Sequence, residues 1–293
     1  RLNNKENIAL YGTRLAAPSW NIPEDVDVSQ ADITSREDVF SIFEQKGPFD
    51  AIYHLAGISS VSYSWKSPEE TMRINVFGTI NLLEALKESG KKSKFLFVSS
   101  CEVYGTRPDG IVTEMSHVFP ENPYAVSKLS GEYFVLMYGK AYNLPVFIAR
   151  PVSHIGPGQS RNFAIMNFCL QSIEMKKSRN KKAFLKAGNI DVLKDYCDVR
   201  DIVKAYALIV DSAPINQIYN ISSEKRISLR DMIKIIQDKL GFSFEIRHDP
   251  SRLRPIDPDN TKISSEKIRR LGWVPVCNIE ETIRDIIESL ENK

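Results

Sequence analysis

The chain has 293 residues, with 39 Lys+Arg against 37 Asp+Glu, a net charge of +2 and 42% hydrophobic residues. The two signs of charge are interleaved, which excludes the basic field that a nucleic-acid-binding surface needs. No apolar run reaches the roughly 18 residues of a membrane span. The cysteines Cys101, Cys169, Cys197 and Cys277 lie far apart, with no CxxC and no histidine at zinc-ligand spacing. That argues against a disulfide scaffold or a metal site and fits a reducing cytoplasm; no signal peptide is read.

Along the first half, strand-like runs at 8–11, 51–55, 95–99 and 146–150 alternate with helical spacing at 36–45, 68–89 and 124–143. Short apolar strands alternating with helices predict right-handed βαβ units and a doubly wound parallel sheet covered on both faces. Ligands on such sheets bind at the carboxyl ends of the strands. The chain opens RLNNKEN and runs at once into a strand-like run, and the expectation is that it begins inside a domain. The second half holds the turn-rich HIGPGQ at 154–159 and a basic stretch at 176–182 read as a solvated loop. A strand at 217–221 and amphipathic helices at 229–240 and 279–290 follow, interrupted by Pro250, Pro255, Pro258 and Pro275. This half is read as a smaller lobe closing over the sheet edge, with the site between the lobes.

Tyr124 and Lys128 form a YxxxK pair at the start of the helix-like 124–143 segment. Positions i and i+4 share a helix face, so phenol and ammonium point into one site. A free phenol titrates near pKa ~10, and a nearby ammonium favours its ionised form, which would make proton exchange with a substrate oxygen feasible. Upstream, FLFVSSCEVYG ends a buried strand with Ser99 and Ser100 and carries Glu102. A hydroxyl at a strand end can hold a carbonyl oxygen beside the tyrosine. Ser, Tyr and Lys in this order point to hydride transfer to or from a carbonyl.

These motifs resemble the extended short-chain dehydrogenase/reductases, the nucleotide-sugar epimerases and dehydratases. DAIYHLAG (50–57) is similar to the family's fourth strand and its turn, and INVFGTINLLEA (74–85) to the next helix. ARPVSHIGPGQ (149–159) resembles the stretch that bridges cofactor and substrate, and DYCDVRDIVKAY (195–206) and RLRPIDPD resemble later family blocks. Within the family, HIGPGQ, GNIDVLKDYCDVRD and LRPID resemble the GDP-mannose branch. The family's first strand and GxxGxxG turn are not among these residues, and truncation or omission of disordered residues, rather than a protein that never had them, is the expectation.

The resemblance implies a Rossmann-type NADP(H)-binding domain at 1–153 and a substrate lobe at 154–293, with about 191–222 returning to the first. It implies NADPH-dependent reduction of the C4 ketone of GDP-4-keto-6-deoxy-mannose to GDP-rhamnose, with Tyr124 as proton donor and Ser100 beside it. Lys128 would hold the nicotinamide ribose and lower the Tyr124 pKa. Dehydration of GDP-mannose, with Glu102 as base, is the same-fold alternative; a non-catalytic nucleotide sensor is the alternative of another class. Expected cofactor residues are Arg14, Asp32, Ile33, Leu55, Ala56, Gly57, Ser99, Tyr124, Lys128 and His154. Arg14 would accommodate a 2′-phosphate, and Asp32 stands where the family places a carboxylate near the adenine. Expected substrate residues are Ser60, Ser100, Ser153, Asn189, Lys194, Arg254 and Asp257. Ser153 stands where the family usually has Asn, and Lys194 where many members have Arg, which keeps the charge and loses the bidentate fork. The family's mode of assembly implies a homodimer through helices near 68–89 and 124–143.

Overall fold

The computed structural model describes residues 8–15, 23–107, 110–178, 184–253, 255–256 and 261–292. In chain order its first elements are β1 Leu10–Arg14, β2 Val26–Gln30, α1 Arg36–Lys46, β3 Ala51–His54, α2 Val61–Lys66, α3 Pro68–Met72, α4 Gly78–Glu88 and β4 Lys94–Val98. Then come β5 Ile111–Val112, α5 Pro123–Tyr142, β6 Val146–Pro151, β7 Ser153–Ile155, α6 Ala164–Ser178, β8 Phe184–Ala187 and β9 Leu193–Asp198. The last are α7 Val199–Ser212, β10 Gln217–Ile221, β11 Arg226–Ser228, α8 Leu229–Leu240, β12 Glu245–His248, β13 Lys262–Ile263, α9 Glu266–Arg269 and α10 Ile279–Glu291. The chain gathers into two units. One comprises Arg1–Val103, Asn122–Arg150 and Tyr206–Ile218; the other comprises Tyr104–Glu121, Pro151–Ala205 and Tyr219–Lys293.

In the first unit, β3, β4 and β6 run parallel, with Ile52 opposite Phe95 and Phe95 opposite Val146. Phe95, Leu96, Phe97, Val146, Phe147 and Ile148 are at most 1% exposed. Burial at consecutive positions means that both sheet faces are covered, which is why these strands read as continuous apolar runs. Leu83 and Leu86 of α4 and Val135 and Tyr138 of α5 pack with Phe95, Phe97, Val146 and Ile148. Each such side chain, fully buried, is worth about 1.5–3 kcal/mol. Gly131 lets α5 settle onto β4: a Cβ there would lie 2.5 Å from Phe97 Cζ.

β1 and β2 are parallel, with Leu10 opposite Val26, and form a sheet of their own. The single sheet expected from the sequence is therefore in two pieces, because no described strand bridges β1 and β3. β1 also lies later than the 8–11 run. Leu10, Gly12 and Arg14 alternate inward against exposed Tyr11 and Thr13, so Arg14 is the strand's last residue rather than the start of a loop. The 68–89 segment is two α-helices joined by a π-turn, Arg73–Phe77. The basic stretch is partly helical: Lys176 and Lys177 close α6, while 179–182 lie outside the described residues.

In the second unit, β9 pairs with β7 in parallel and with β11 antiparallel. That pairing keeps 193–198 in this unit, so the segment belonging to the first is Tyr206–Ile218. β5 pairs with β13, Ile111 opposite Lys262, which ties 104–121 to the C-terminal residues. Ile165, Phe168, Ile233, Ile236, Ile283 and Ile286, from α6, α8 and α10, share one core. Their i, i+3 spacing gives each helix one buried face.

Candidate active site

Helix α5 begins at a fixed point. Asn122 caps it, its side-chain oxygen accepting from Ala125 N–H at 2.8 Å, and Pro123 occupies the first turn. Tyr124 thus falls in the first turn and Lys128 one turn later. The Tyr124 N–H, which has no partner within the helix, donates to Ser64 Oγ of α2 at 3.1 Å. Ser64 in turn donates to Val61 O at 2.8 Å.

Strand β4 supplies the other side. Lys128 Nζ donates to the Val98 carbonyl at 2.9 Å and lies 5.1 Å from the Phe97 ring centre. Ser100 Oγ accepts from Glu102 N–H at 3.2 Å, and a Glu102 carboxylate oxygen accepts from Asn122 Nδ2 at 3.1 Å. Tyr124 is 8% exposed and Lys128 5%. Burial pushes the Tyr124 phenol above its usual range; a hydrogen bond with Ser100 pulls it down, and Glu102 and Cys101 push it up. Burial lowers Lys128 to about 8, with the Glu132 carboxylate opposing. Ser100, Glu102 and Tyr124 are therefore together. The expectation that Lys128 draws Tyr124 towards phenolate is corrected: the ammonium is turned to Val98 O, and the phenol stays protonated at neutral pH. The site presents a proton donor, not a tyrosinate.

Sequence reasoning missed Asn75. It sits in the π-turn, is 1% exposed, and makes a two-way bridge to Ile58: its Oδ1 accepts from Ile58 N–H at 2.7 Å, and its Nδ2 donates to Ile58 O at 2.9 Å. The same Nδ2 donates to Ser127 Oγ at 2.8 Å, and Ser127 donates to Tyr124 O at 2.7 Å. Asn75 thereby links the loop after β3 to the helix turn that carries the tyrosine. π-turns within α-helices often mark functional sites. The sequence signal was an amide among the buried residues of INVFGTINLLEA, one turn before the buried hydroxyl of Thr79.

The loop after β3 is open: Leu55 is 62% exposed, and Ala56 and Gly57 are also exposed. A Cβ on Gly57 would lie 2.7 Å from Asn75 Oδ1, so only glycine fits this approach. Arg14 Nε and Ser99 Oγ are buried and have no hydrogen-bond partner among the described residues. Unpaired buried donors cost stability unless a ligand satisfies them, so these residues fit a phosphate-bearing, polar cofactor. Asp32 is committed locally. Its Oδ1 accepts from Thr34 N–H and Oγ1, each at 2.8 Å, and these bonds, the backbone one first, hold its carboxyl below the usual range. Ser35 caps α1, accepting from Asp38 N–H. Ile33 packs against Gly78 of α4. Ser60 caps α2, accepting from Tyr63 N–H at 3.2 Å.

Ser153, His154, Asn189 and Lys194 belong to the second unit. His154 is half-buried; its Nδ1 lies 3.2 Å from Val152 O, and burial lowers its pKa. Ser153 and Asn189 are exposed, and Asn189 Oδ1 accepts from Asp191 N–H at 3.2 Å. Lys194 lies in β9 opposite Ile227. Arg254 and Asp257 lie outside the described residues.

The sequence profile of the family described as GDP-mannose 4,6 dehydratase matches residues 2–286. The chain is 34% identical over 247 residues to GDP-6-deoxy-D-mannose reductase of Pseudomonas aeruginosa, covering 83% of this chain and 81% of that protein. It is 24% identical over 322 residues to GDP-mannose 4,6-dehydratase of Vibrio cholerae, covering 97% and 85%. The solved structure of RMD from Pseudomonas aeruginosa complexed with NADPH superposes with a TM-score of 0.84 at 28% identity, covering 97% of this chain and 99% of that one.

Proposed function

The chain belongs to the GDP-mannose 4,6-dehydratase family, and from that premise we propose that it is a reductase that turns the C4 ketone of GDP-4-keto-6-deoxy-mannose into the alcohol of GDP-rhamnose with NADPH. The observation that carries this reading is the buried, protonated Tyr124 hydrogen-bonded with Ser100. NADPH, when bound, supplies the hydride that adds to the carbonyl carbon. Tyr124 gives its phenolic proton to the developing alkoxide, and Ser100 orients the phenol and the ketone oxygen. Lys128, anchored at the strand end, donates to the cofactor's ribose. Arg14 would hold the 2′-phosphate, and Asp32, Ile33, Leu55, Ala56, Gly57, Ser99 and His154 would contribute to holding the rest of the cofactor. Ser60, Ser153, Asn189, Lys194, Arg254 and Asp257 take the GDP-sugar.

Dehydration would also need an acid for the leaving hydroxyl. The residue before Glu102 is Cys101, whose thiol donates to Arg150 O at 3.0 Å. A thiol whose proton is directed at a backbone carbonyl is poorly placed as the acid for hydroxide departure. This favours reduction. Incubating the protein with NADPH and GDP-4-keto-6-deoxy-mannose, and separately with GDP-mannose, and identifying the sugar formed in each tests the reading. GDP-rhamnose supports it, and release of the 4-keto sugar from GDP-mannose, with no ketone reduction, overturns it.

A homodimer through the outer faces of the helices near 68–89 and 124–143 is part of this proposal. Phe77, Val126, Tyr133 and Met137 are 40–61% exposed there. An apolar surface of this kind on a water-exposed helix face suits a second copy. Sedimentation analysis of Tyr133→Glu should give monomer.

A further inference from the structure

Glu132 and Arg150 form a doubly hydrogen-bonded ion pair with side chains 2% and 4% exposed: Arg150 Nε donates to Glu132 Oε1 at 2.9 Å and NH2 to Oε2 at 2.5 Å. Such a pair is weak evidence for stability, because two desolvated charges often do no better than an apolar pair of equal volume. Its location offers a different reason. Glu132 lies one turn after Lys128 on the same face of α5. Arg150 stands near the end of β6, and its carbonyl accepts the Cys101 thiol. Lys128 itself is fastened to the end of β4 through Val98. The pair therefore ties α5 to β6 directly beneath the lysine that is tied to β4.

We propose that Glu132 is a positioning residue for Lys128: clamped by Arg150, its carboxylate holds α5 in register on the sheet and supplies the negative charge that keeps the buried lysine an ammonium. This rests on the reading that Lys128 serves the cofactor. An ammonium offers three donors and a full charge, and the neutral amine offers neither the charge nor the third donor. Burial already brings Lys128 down to about 8, and Glu132 is the group that opposes it. Among the described residues, the other groups around the lysine give no counter-charge. From β3, His54 is buried and neutral at physiological pH, its pKa lowered to about 3 by burial and then by the Lys128 charge. From β4 come the neutral Val98 carbonyl and the Phe97 ring. On α5, Tyr124 is protonated, and Glu102 and Cys101 act on that phenol.

The test follows the Lys128 side-chain resonances with pH in full-length protein carrying isotope-labelled lysine, assigned with Lys128→Arg. Glu132→Gln should lower the midpoint from about 8 by roughly one pH unit. Arg150→Gln, which leaves the carboxylate uncompensated, should raise it. A purely structural pair would move both variants in one direction or neither. If Glu132→Gln does not fold, as judged by far-ultraviolet circular dichroism, Glu132→Met, which puts apolar volume where the carboxylate was, takes its place and should lower the midpoint in the same way. Glu132→Asp should restore most of the wild-type value. An unmoved midpoint in a folded variant lacking the carboxylate overturns the proposal. This titration needs no turnover, so a protein that titrates as stated yet leaves the ketone unreduced overturns the proposed function alone. Where the ketone is reduced, the alkaline limb of kcat/KM should fall with the same midpoint in Glu132→Gln.

Discussion

Lys128 Nζ donates to the Val98 carbonyl at 2.9 Å, which anchors the ammonium on the strand end that leads into Ser99 and Ser100. The bond divides the work of the YxxxK pair. The lysine is held at the strand end; the tyrosine is set by burial and Ser100. Lys128→Ala should therefore weaken NADPH binding strongly, measured by fluorescence titration. Ultraviolet difference spectra of the ligand-free protein should show Tyr124 protonated at neutral pH in both proteins. A tyrosinate band in the wild type that vanishes in the variant would contradict this division.

Arg14 closes β1 with its buried Nε unpaired among the described residues. A guanidinium in that state suits the 2′-phosphate that distinguishes NADPH from NADH. Arg14→Ala should raise the Kd for NADPH by about ten-fold or more, one charge-assisted contact being worth about 1.5–3 kcal/mol, and leave NADH within a few-fold. Equal losses for both cofactors would remove Arg14 from this role.

Glu102 touches Asn122 and the Ser100 turn, and it raises the Tyr124 pKa. Ketone reduction needs one proton donor and no C–H base, so Glu102→Gln should keep kcat for reduction within a few-fold. Any dehydration of GDP-mannose should collapse in the same variant. A loss of reduction as deep as that of Tyr124→Phe would give Glu102 a part in the proton transfer itself.

His54 contributes pH-dependent stability. Thr79 Oγ1 donates to Asn75 O at 2.6 Å and so accepts from His54 Nε2–H at 2.9 Å, which fixes the neutral tautomer. Its pKa is about 3 against 6.5 for the ordinary group. The folded state therefore binds fewer protons between those values, and stability falls as pH falls through that window. Urea unfolding should show about 2 kcal/mol less stability at pH 5 than at pH 7 from this group, and His54→Gln should flatten the slope.

The sequence made β3, β4, β6 and α5 legible because each carries an uninterrupted local signal: apolar runs for the strands, a capped 3.6-residue period and YxxxK for the helix. β1 was misplaced because LYGTR has little apolar contrast, and its register comes from pairing with β2. The π-turn at Arg73–Phe77 was illegible because it exists through Asn75's bonds to Ile58 and Ser127, two partners distant in sequence. The Glu132–Arg150 pair was hidden for the same reason: nothing near either residue in the chain announces the other. The state of Tyr124 was misjudged because YxxxK fixes proximity along a helix and says nothing of where the lysine's proton donors are spent.

The central claim is that Tyr124 is the acid that protonates the reduced ketone. The measurement that bears on it most directly is single-turnover oxidation of enzyme-bound NADPH by GDP-4-keto-6-deoxy-mannose in wild type and Tyr124→Phe, with GDP-sugar affinity measured alongside. Removing the hydroxyl acts on the transition state and not on ground-state binding. The variant should slow by about 10²–10⁴-fold and bind the sugar nucleotide with near wild-type affinity. Reduction within a few-fold of wild type would contradict the account.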